Sequence, residues 1–202
     1  MASMAERKRQ LVADEITEAA LQLCAVKGFD TTTVDEIVAA AGISRRTFFR
    51  YFSSKEDVAI QLLAALGADM RDELRARPAG EPPATALRHA VGMAIDHCVD
   101  EPVKSLRVVQ LILRTPVLHA RLLERQAQWR NGLTAELAVR LGRDPATDLF
   151  PEMAAGMALA AFEAAMHHWS ASDGAVDPHE LVDRAFAVIR PALDQAGRPR
   201  AG

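Results

Sequence analysis

Along the whole chain, apolar residues return every three or four positions, and no segment sustains the strict alternation of a half-buried strand. The pattern predicts an all-α protein of about nine helices. A first helix should run from about Ala5 to Val26, with Leu11, Ile16, Ala19, Ala20 and Leu23 on its buried side, and stop near Gly28. Thr33-x-x-Glu36 has the form of a capping box, in which each side chain takes an otherwise orphan backbone N–H. It opens a short helix with Ile37 and Val38 inward and Gly42 as the C′ residue. Ser44 can N-cap a third helix reaching about Phe52, and Ser53 or Ser54 a fourth, from Lys55 to about Arg75. "RARPAGEPPA", residues 75–84, then breaks the period with three prolines and a glycine, which makes it a candidate domain boundary. Beyond it the period predicts helices over Ala84–Val99, Val103–Leu113, Pro116–Leu141, Thr147–Trp169 and Pro178–Ala196. Thr115-Pro116 and Asp177-Pro178 each read as an N-cap followed by an N1 proline.

The second and third helices, joined by "AAAGIS", have the form of a helix-turn-helix. The chain holds ten aromatic residues, and four of them, Phe48, Phe49, Tyr51 and Phe52, fall within five positions of this third helix. At about 100° per residue, Phe48 and Phe52 share one side, beside Ile37 and Ile43. Arg45, Arg46, Phe49 and Arg50 share the other side, and Tyr51 lies near the core edge where it could serve either. Arg45 and Arg46 stand in the first turn of their helix and Lys55 in the first turn of the next. Cations there oppose the helix dipole, at about 0.3–1 kcal/mol each, unless a phosphate docks on them. Arginine can also take a guanine edge, and an exposed Phe can meet a thymine methyl. The cationic flank of residues 45–50 is therefore expected to be exposed, free of intramolecular ion pairs, and aimed at a duplex. The net charge of −3 confines any nucleic-acid function to such a local patch.

"TTTVDEIVAAAGISRRTFFRYFSSKEDV", residues 31–58, closely resembles the DNA-binding domain of the TetR family of bacterial transcriptional regulators, and the resemblance extends over about residues 8 to 60. It implies a helix-turn-helix domain at 5–60 and a C-terminal helical ligand-binding and dimerisation domain at 61–197. It further implies phosphate contacts for Thr33, Ser44 and Lys55, and base or backbone contacts for Arg45, Arg46, Thr47, Phe49, Arg50 and Tyr51. Arg46 stands where many members have glycine, and Phe49 where tyrosine is usual. Arg7, Lys8 and Arg9 resemble the basic lead-in that some members lay along the minor groove, and are equally compatible with a solvated arm.

A short recognition helix holds few base-reading residues, so a two-fold dimer on a pseudo-palindromic operator is expected. "MAAGMALAAFEAAMHHW", residues 153–169, is apolar nearly all round and rich in small residues. The last helix carries Leu181, Val182, Ala185, Phe186, Ile189 and Leu193 as a stripe. These last two long helices are the expected homodimer seam, with Pro191 bending or ending the second early. The resemblance implies a small-molecule effector, largely apolar, and the "RRTFFRYF" version resembles a subgroup whose C-terminal domain takes acyl-CoA-like ligands. Its candidate lining residues are Met93, His97, Leu111, Leu118, Leu122, Trp129, Met157, Phe162 and His168. A DNA-binding regulator without an effector shares every feature up to residue 75. No GxSxG, Walker, GxGxxG or HExxH motif points to an enzyme, and neither "HHW" nor His89/His97 has an i, i+4 metal spacing. No cofactor or metal is expected. Cys24 and Cys98 read as reduced core residues. Without a signal peptide or a membrane-length apolar run, the sequence reads as that of a soluble cytoplasmic protein.

Overall fold

The computed structural model describes residues 4–61, 63 and 65–196, and among them helix is the only regular secondary structure. The helices are α1 (Met4–Lys27), α2 (Val34–Ala40), α3 (Arg45–Tyr51), α4 (Lys55–Gln61), α5 (Leu66–Ala76), α6 (Pro83–Asp100), α7 (Pro102–Arg114), α8 (Pro116–Leu141), α9 (Phe150–Ala171) and α10 (Pro178–Ala196). One of the expected helices is thus two: α4 ends at Gln61 and α5 begins at Leu66, with Leu63 and Ala65 in turns. The apolar run at 58–68 offers no capping residue, so the period alone reads straight through the break. No helix among the described residues is long and apolar enough to cross a membrane.

The chain forms two compact units, Met1–Leu63 with Leu111–Leu122, and Ala64–Gln110 with Leu123–Gly202. In the first, Ala13, Ile16 and Ala20 of α1 meet Ile37 and Val38 of α2, Phe48 of α3, Phe52 and Val58 in one core. Leu11 is 64% exposed, contrary to the sequence expectation. The buried stripe of α1 is Ala13, Ile16, Thr17, Ala20 and Cys24, which repeats at three- and four-residue intervals but starts two positions later. Burial raises the Cys24 thiol above its ordinary pKa.

In the second unit α6 packs on α5 and α10, and α9 on α10 and α6. α6 buries Ala84, Ala86, Leu87, Ala90, Val91, Gly92, Ala94 and Ile95, a surface whose small residues allow close helix approach. The proline-rich stretch at 75–84 is not where the units divide. It is a turn inside the second unit, braced by Arg77 on the Glu81 carboxylate (2.8 and 2.5 Å) and by Arg140. The Arg140 guanidinium donates to the carbonyls of Arg77 (2.9 Å), Pro78 and Glu81 (3.1 Å). Pro191 does not end α10, which continues through Ala196 and buries Leu193. Pro191 and Ala187 are both exposed, so the Ala187 carbonyl that loses its helical partner faces water.

Gly67 of α5 lies directly against Trp129 of α8. A Cβ there would lie 2.1 Å from Trp129 Cδ1 and 2.6 Å from Nε1, so the indole occupies the space a side chain would need. Gly67→Ala is expected to lower the unfolding midpoint in urea or heat by an amount corresponding to about 1–3 kcal/mol, the usual cost of overpacking. An unchanged midpoint would show that Trp129 can move aside.

Candidate nucleic-acid interface

The geometry of the helix-turn-helix is set by local caps. Thr33 is the N-cap of α2: its Oγ1 accepts from Glu36 N (3.3 Å), and Glu36 Oε2 accepts from Thr33 N (2.9 Å) and Thr33 Oγ1 (2.7 Å). At the other end Gly42 takes φ +65°, Gly42 N donates to Ala39 O (3.3 Å) and Ile43 N to Val38 O (2.9 Å). This 6→1 and 5→2 pair reverses the chain sharply and drops Ile43 onto the core. Ser44 then caps α3, accepting from Thr47 N at 3.1 Å. Phe48 is fully buried and Phe52 nearly so, with ring centroids 5.7 Å apart. With these two residues anchored, the opposite side of α3 faces solvent.

On that side Arg46 and Arg50 are exposed, and neither pairs with a carboxylate among the described residues. Phe49 is 50% exposed, edge-on to Phe48 with centroids 5.3 Å apart. Arg46, Thr47, Phe49 and Arg50 together line a surface hollow of about 430 Å³. Thr47 is half-buried, its hydroxyl 3.0 Å from Ser44 Oγ, and Tyr51 is half-buried against the core with Arg50 stacked on its ring. Ser44 and Thr33 are exposed, although the Thr33 hydroxyl already donates to Glu36.

Two of the expected contacts are placed differently. Arg45 is not free: its Nη1 donates to both Asp35 oxygens (2.9 and 3.0 Å). The pair is 60% and 66% exposed, so it contributes little stability and an incoming phosphate can compete for the arginine. Lys55 is turned inward. Its ammonium donates to the carbonyls of Phe29 (2.8 Å), Thr32 (2.9 Å) and Asp30 (3.3 Å), and lies 4.5 Å from the Phe29 ring centroid. All three of its hydrogens have acceptors within the chain. The basic run Arg7-Lys8-Arg9 is not an extended arm but part of α1.

The second candidate set separates between the units. Leu118 and Leu122 are buried and Leu111 half-buried in the first. Trp129 and Phe162 are buried in the second with an edge-on contact at 6.5 Å, and Met93 and Met157 are half-buried there. His97 and His168 are surface residues, and His97 Nε2 sits 3.1 Å from the Asp69 carboxylate, linking α6 to α5. Residues near helix ends on a period of 3.6 can turn outward, and both histidines do. A cleft that the sequence reading missed, about 300 Å³, lies where the α6–α7 corner meets the α9–α10 turn. It is lined by Val99, Val103, Leu106 and Trp169, with Asp173 and Asp177 among its polar residues. Its walls come from segments about seventy residues apart and carry no shared motif.

Residues 16–62 match the family model described as bacterial regulatory proteins, tetR family, and residues 81–194 match that of the MftR C-terminal domain. A Mycobacterium tuberculosis protein named as a mycofactocin biosynthesis transcriptional regulator, MftR, is 33% identical over 202 residues, with 94% of each chain covered. Among solved structures, Thermus thermophilus FadR in complex with lauroyl-CoA is 26% identical with a TM-score of 0.53, covering 88% of this chain and 93% of that one. The fatty acid degradation regulator FadR from Bacillus halodurans has a TM-score of 0.62 at 24% identity, covering 88% and 94%.

Two outcomes test these placements. Lys55→Met leaves three carbonyls without their donor and is expected to lower stability by about 1–3 kcal/mol. The salt dependence of any DNA binding should stay as it was, whereas a lost phosphate contact would leave stability alone and flatten that dependence. Glu36, held by the Lys27 ammonium and then by Thr33, has its pKa lowered from 4.5 to about 2. Its contribution is present above pH 4.5 and is lost as pH falls towards 2, so Glu36→Gln should show a shallower fall in stability across that window. Parallel acid titrations of the two proteins would contradict this.

Proposed function

This chain belongs to the TetR family of bacterial transcriptional regulators and is a DNA-binding regulator, and from that premise we propose that it is a homodimeric repressor released from its operator by an acyl-CoA-like effector. Residues 5–60 are assigned to the operator and residues 61–197 to dimerisation and the effector. The observation that carries the DNA-binding part is the side of α3 opposite Phe48. Arg46 and Arg50, without carboxylate partners among the described residues, flank a half-exposed Phe49 on a chain whose net charge is negative. Arg46, Thr47 and Phe49 are the base-reading set, Arg50 stands at its edge, and Ser44, Thr33 and Arg45 lie on the phosphate side. Tyr51 supports Arg50, and Lys55 acts by holding the fold.

Dimerisation is supported by what α9 and α10 leave uncovered. On α9 the residues Met153, Ala160, Ala164 and Ala171 are exposed and Met157 half-buried, at helical spacing, and Val188 on α10 is 79% exposed. An apolar stripe of small residues left in water is the surface a second copy would cover. The effector class rests on the likeness to the FadR structures and on the Met93, Trp129, Met157 and Phe162 set in the second unit. The cleft beside Trp169 is a poorer candidate, since Asp173 and Asp177 would oppose the phosphates of CoA.

The test is selection of duplexes from a random pool by the purified protein, followed by titration with lauroyl-CoA and with free CoA. The expected result is a pseudo-palindromic site whose affinity falls steeply with salt, released by lauroyl-CoA and not by CoA, with operator weakening acyl-CoA binding by the same factor. Salt-insensitive or absent DNA binding would overturn the regulator reading. Indifference to acyl-CoA would overturn only the effector.

A further inference from the structure

A second hollow, about 340 Å³, lies beside the first and shares Arg50 with it; its other lining residues are Lys8, Arg9 and Tyr51. The Arg50 guanidinium carbon is 5.1 Å from the Tyr51 ring centroid and that of Arg9 is 6.0 Å away. Arg50 Nη2 also donates to the Tyr51 hydroxyl at 3.3 Å, which leaves the phenol proton free to be donated elsewhere. One aromatic ring therefore carries two cations, with a third, Lys8, at the rim. The ring quadrupole attracts each cation, but the cations repel one another. Among the described residues none of the three pairs with a carboxylate, in contrast to Arg45 on Asp35 and Lys27 on Glu36. A cluster of donors with no acceptor fits an anion whose oxygens can take several charge-assisted hydrogen bonds at once.

We infer that Lys8, Arg9, Arg50 and Tyr51 form a clamp for one DNA backbone phosphate beside the groove that α3 reads, with Tyr51 as the platform that positions Arg9. This rests on the DNA-binding reading above. It assigns the basic residues of α1 to the backbone rather than to the minor groove. Lys8 and Arg9 are already inside a helix, and a helix with its side chains is about 10–12 Å across. The minor groove is only about 6 Å wide. Reading a base edge there would require residues 8 and 9 to leave the helix and Arg9 to leave Tyr51.

The experiment uses the full chain with duplexes it selects from a random pool and with an unselected duplex, measuring affinity across a potassium chloride series. Arg9→Gln is expected to weaken both duplexes by a common factor, on the order of tenfold. It should also reduce the slope of log affinity against log salt by about one per protomer. Tyr51→Leu should give the same loss, and the double variant no more than either single one. Tyr51 packs against the core, so a Tyr51→Leu protein that fails to fold is set aside for Lys8→Gln, an exposed change expected to lower the salt slope likewise. A loss confined to particular base pairs, or unchanged affinity and slope in Arg9→Gln, would overturn the clamp while leaving the regulator reading intact. If the unaltered protein binds no duplex, the regulator reading fails and the clamp with it.

Discussion

Three backbone carbonyls in the turn between α1 and α2, those of Phe29, Asp30 and Thr32, converge on one place, and the ammonium of Lys55 fills it. The turn leaves α1 at Gly28 in a left-handed conformation, and the Thr32 hydroxyl donates back to the Gly28 carbonyl at 2.8 Å. A turn this tight has few backbone donors of its own, and carbonyls withdrawn from water without partners are costly. One lysine from the start of α4 answers all three and covers the Phe29 ring. Thr33, which caps α2, follows at once, so the position of α2 and then of α3 descends from this contact. A residue that the family resemblance places on DNA is, in this chain, the fastener of the turn that leads into α2.

The cations of the first unit therefore divide by task. Lys27, Arg45 and Lys55 have partners within the chain, on Glu36, Asp35 and three carbonyls. Lys8, Arg9, Arg46 and Arg50 have no carboxylate among the described residues. Positive charge without compensation on a chain of net charge −3 produces a local field that a duplex can complete, and it does so around two aromatic rings, Phe49 and Tyr51. The Arg45–Asp35 pair adds a graded element. It is exposed enough to exchange, so Arg45 can be drawn from Asp35 at little cost.

In the second unit the same economy of small residues serves two directions. α9 buries Ala154, Ala155, Ala158, Ala161 and Ala165 inside the unit while leaving Ala160 and Ala164 outside. With Met153, these two alanines leave an apolar side of α9 exposed. Elsewhere in this unit Gly67 under Trp129 draws α5 and α8 close together.

Much of this was legible in the residues themselves, because the determinants act over a few positions. The capping box at Thr33 and Glu36, the Gly42 reversal, the Ser44 cap and the split of Phe48 and Phe52 from Arg46, Phe49 and Arg50 all follow from spacing within one or two turns. The break between α4 and α5 was not legible, since an unpunctuated apolar run carries the helical period straight through it. Nor was the inward turn of Lys55, whose acceptors lie 23 to 26 residues away, or the pairing of Arg45 with Asp35, ten residues away. The sequence by itself determined where most of the helices form and the apolar side of the helix-turn-helix, because those depend on backbone hydrogen bonds and side-chain period. Only the tertiary structure decided which cations are free for a partner and which are fasteners, because a long flexible side chain takes its role from whatever acceptor the fold brings within its reach.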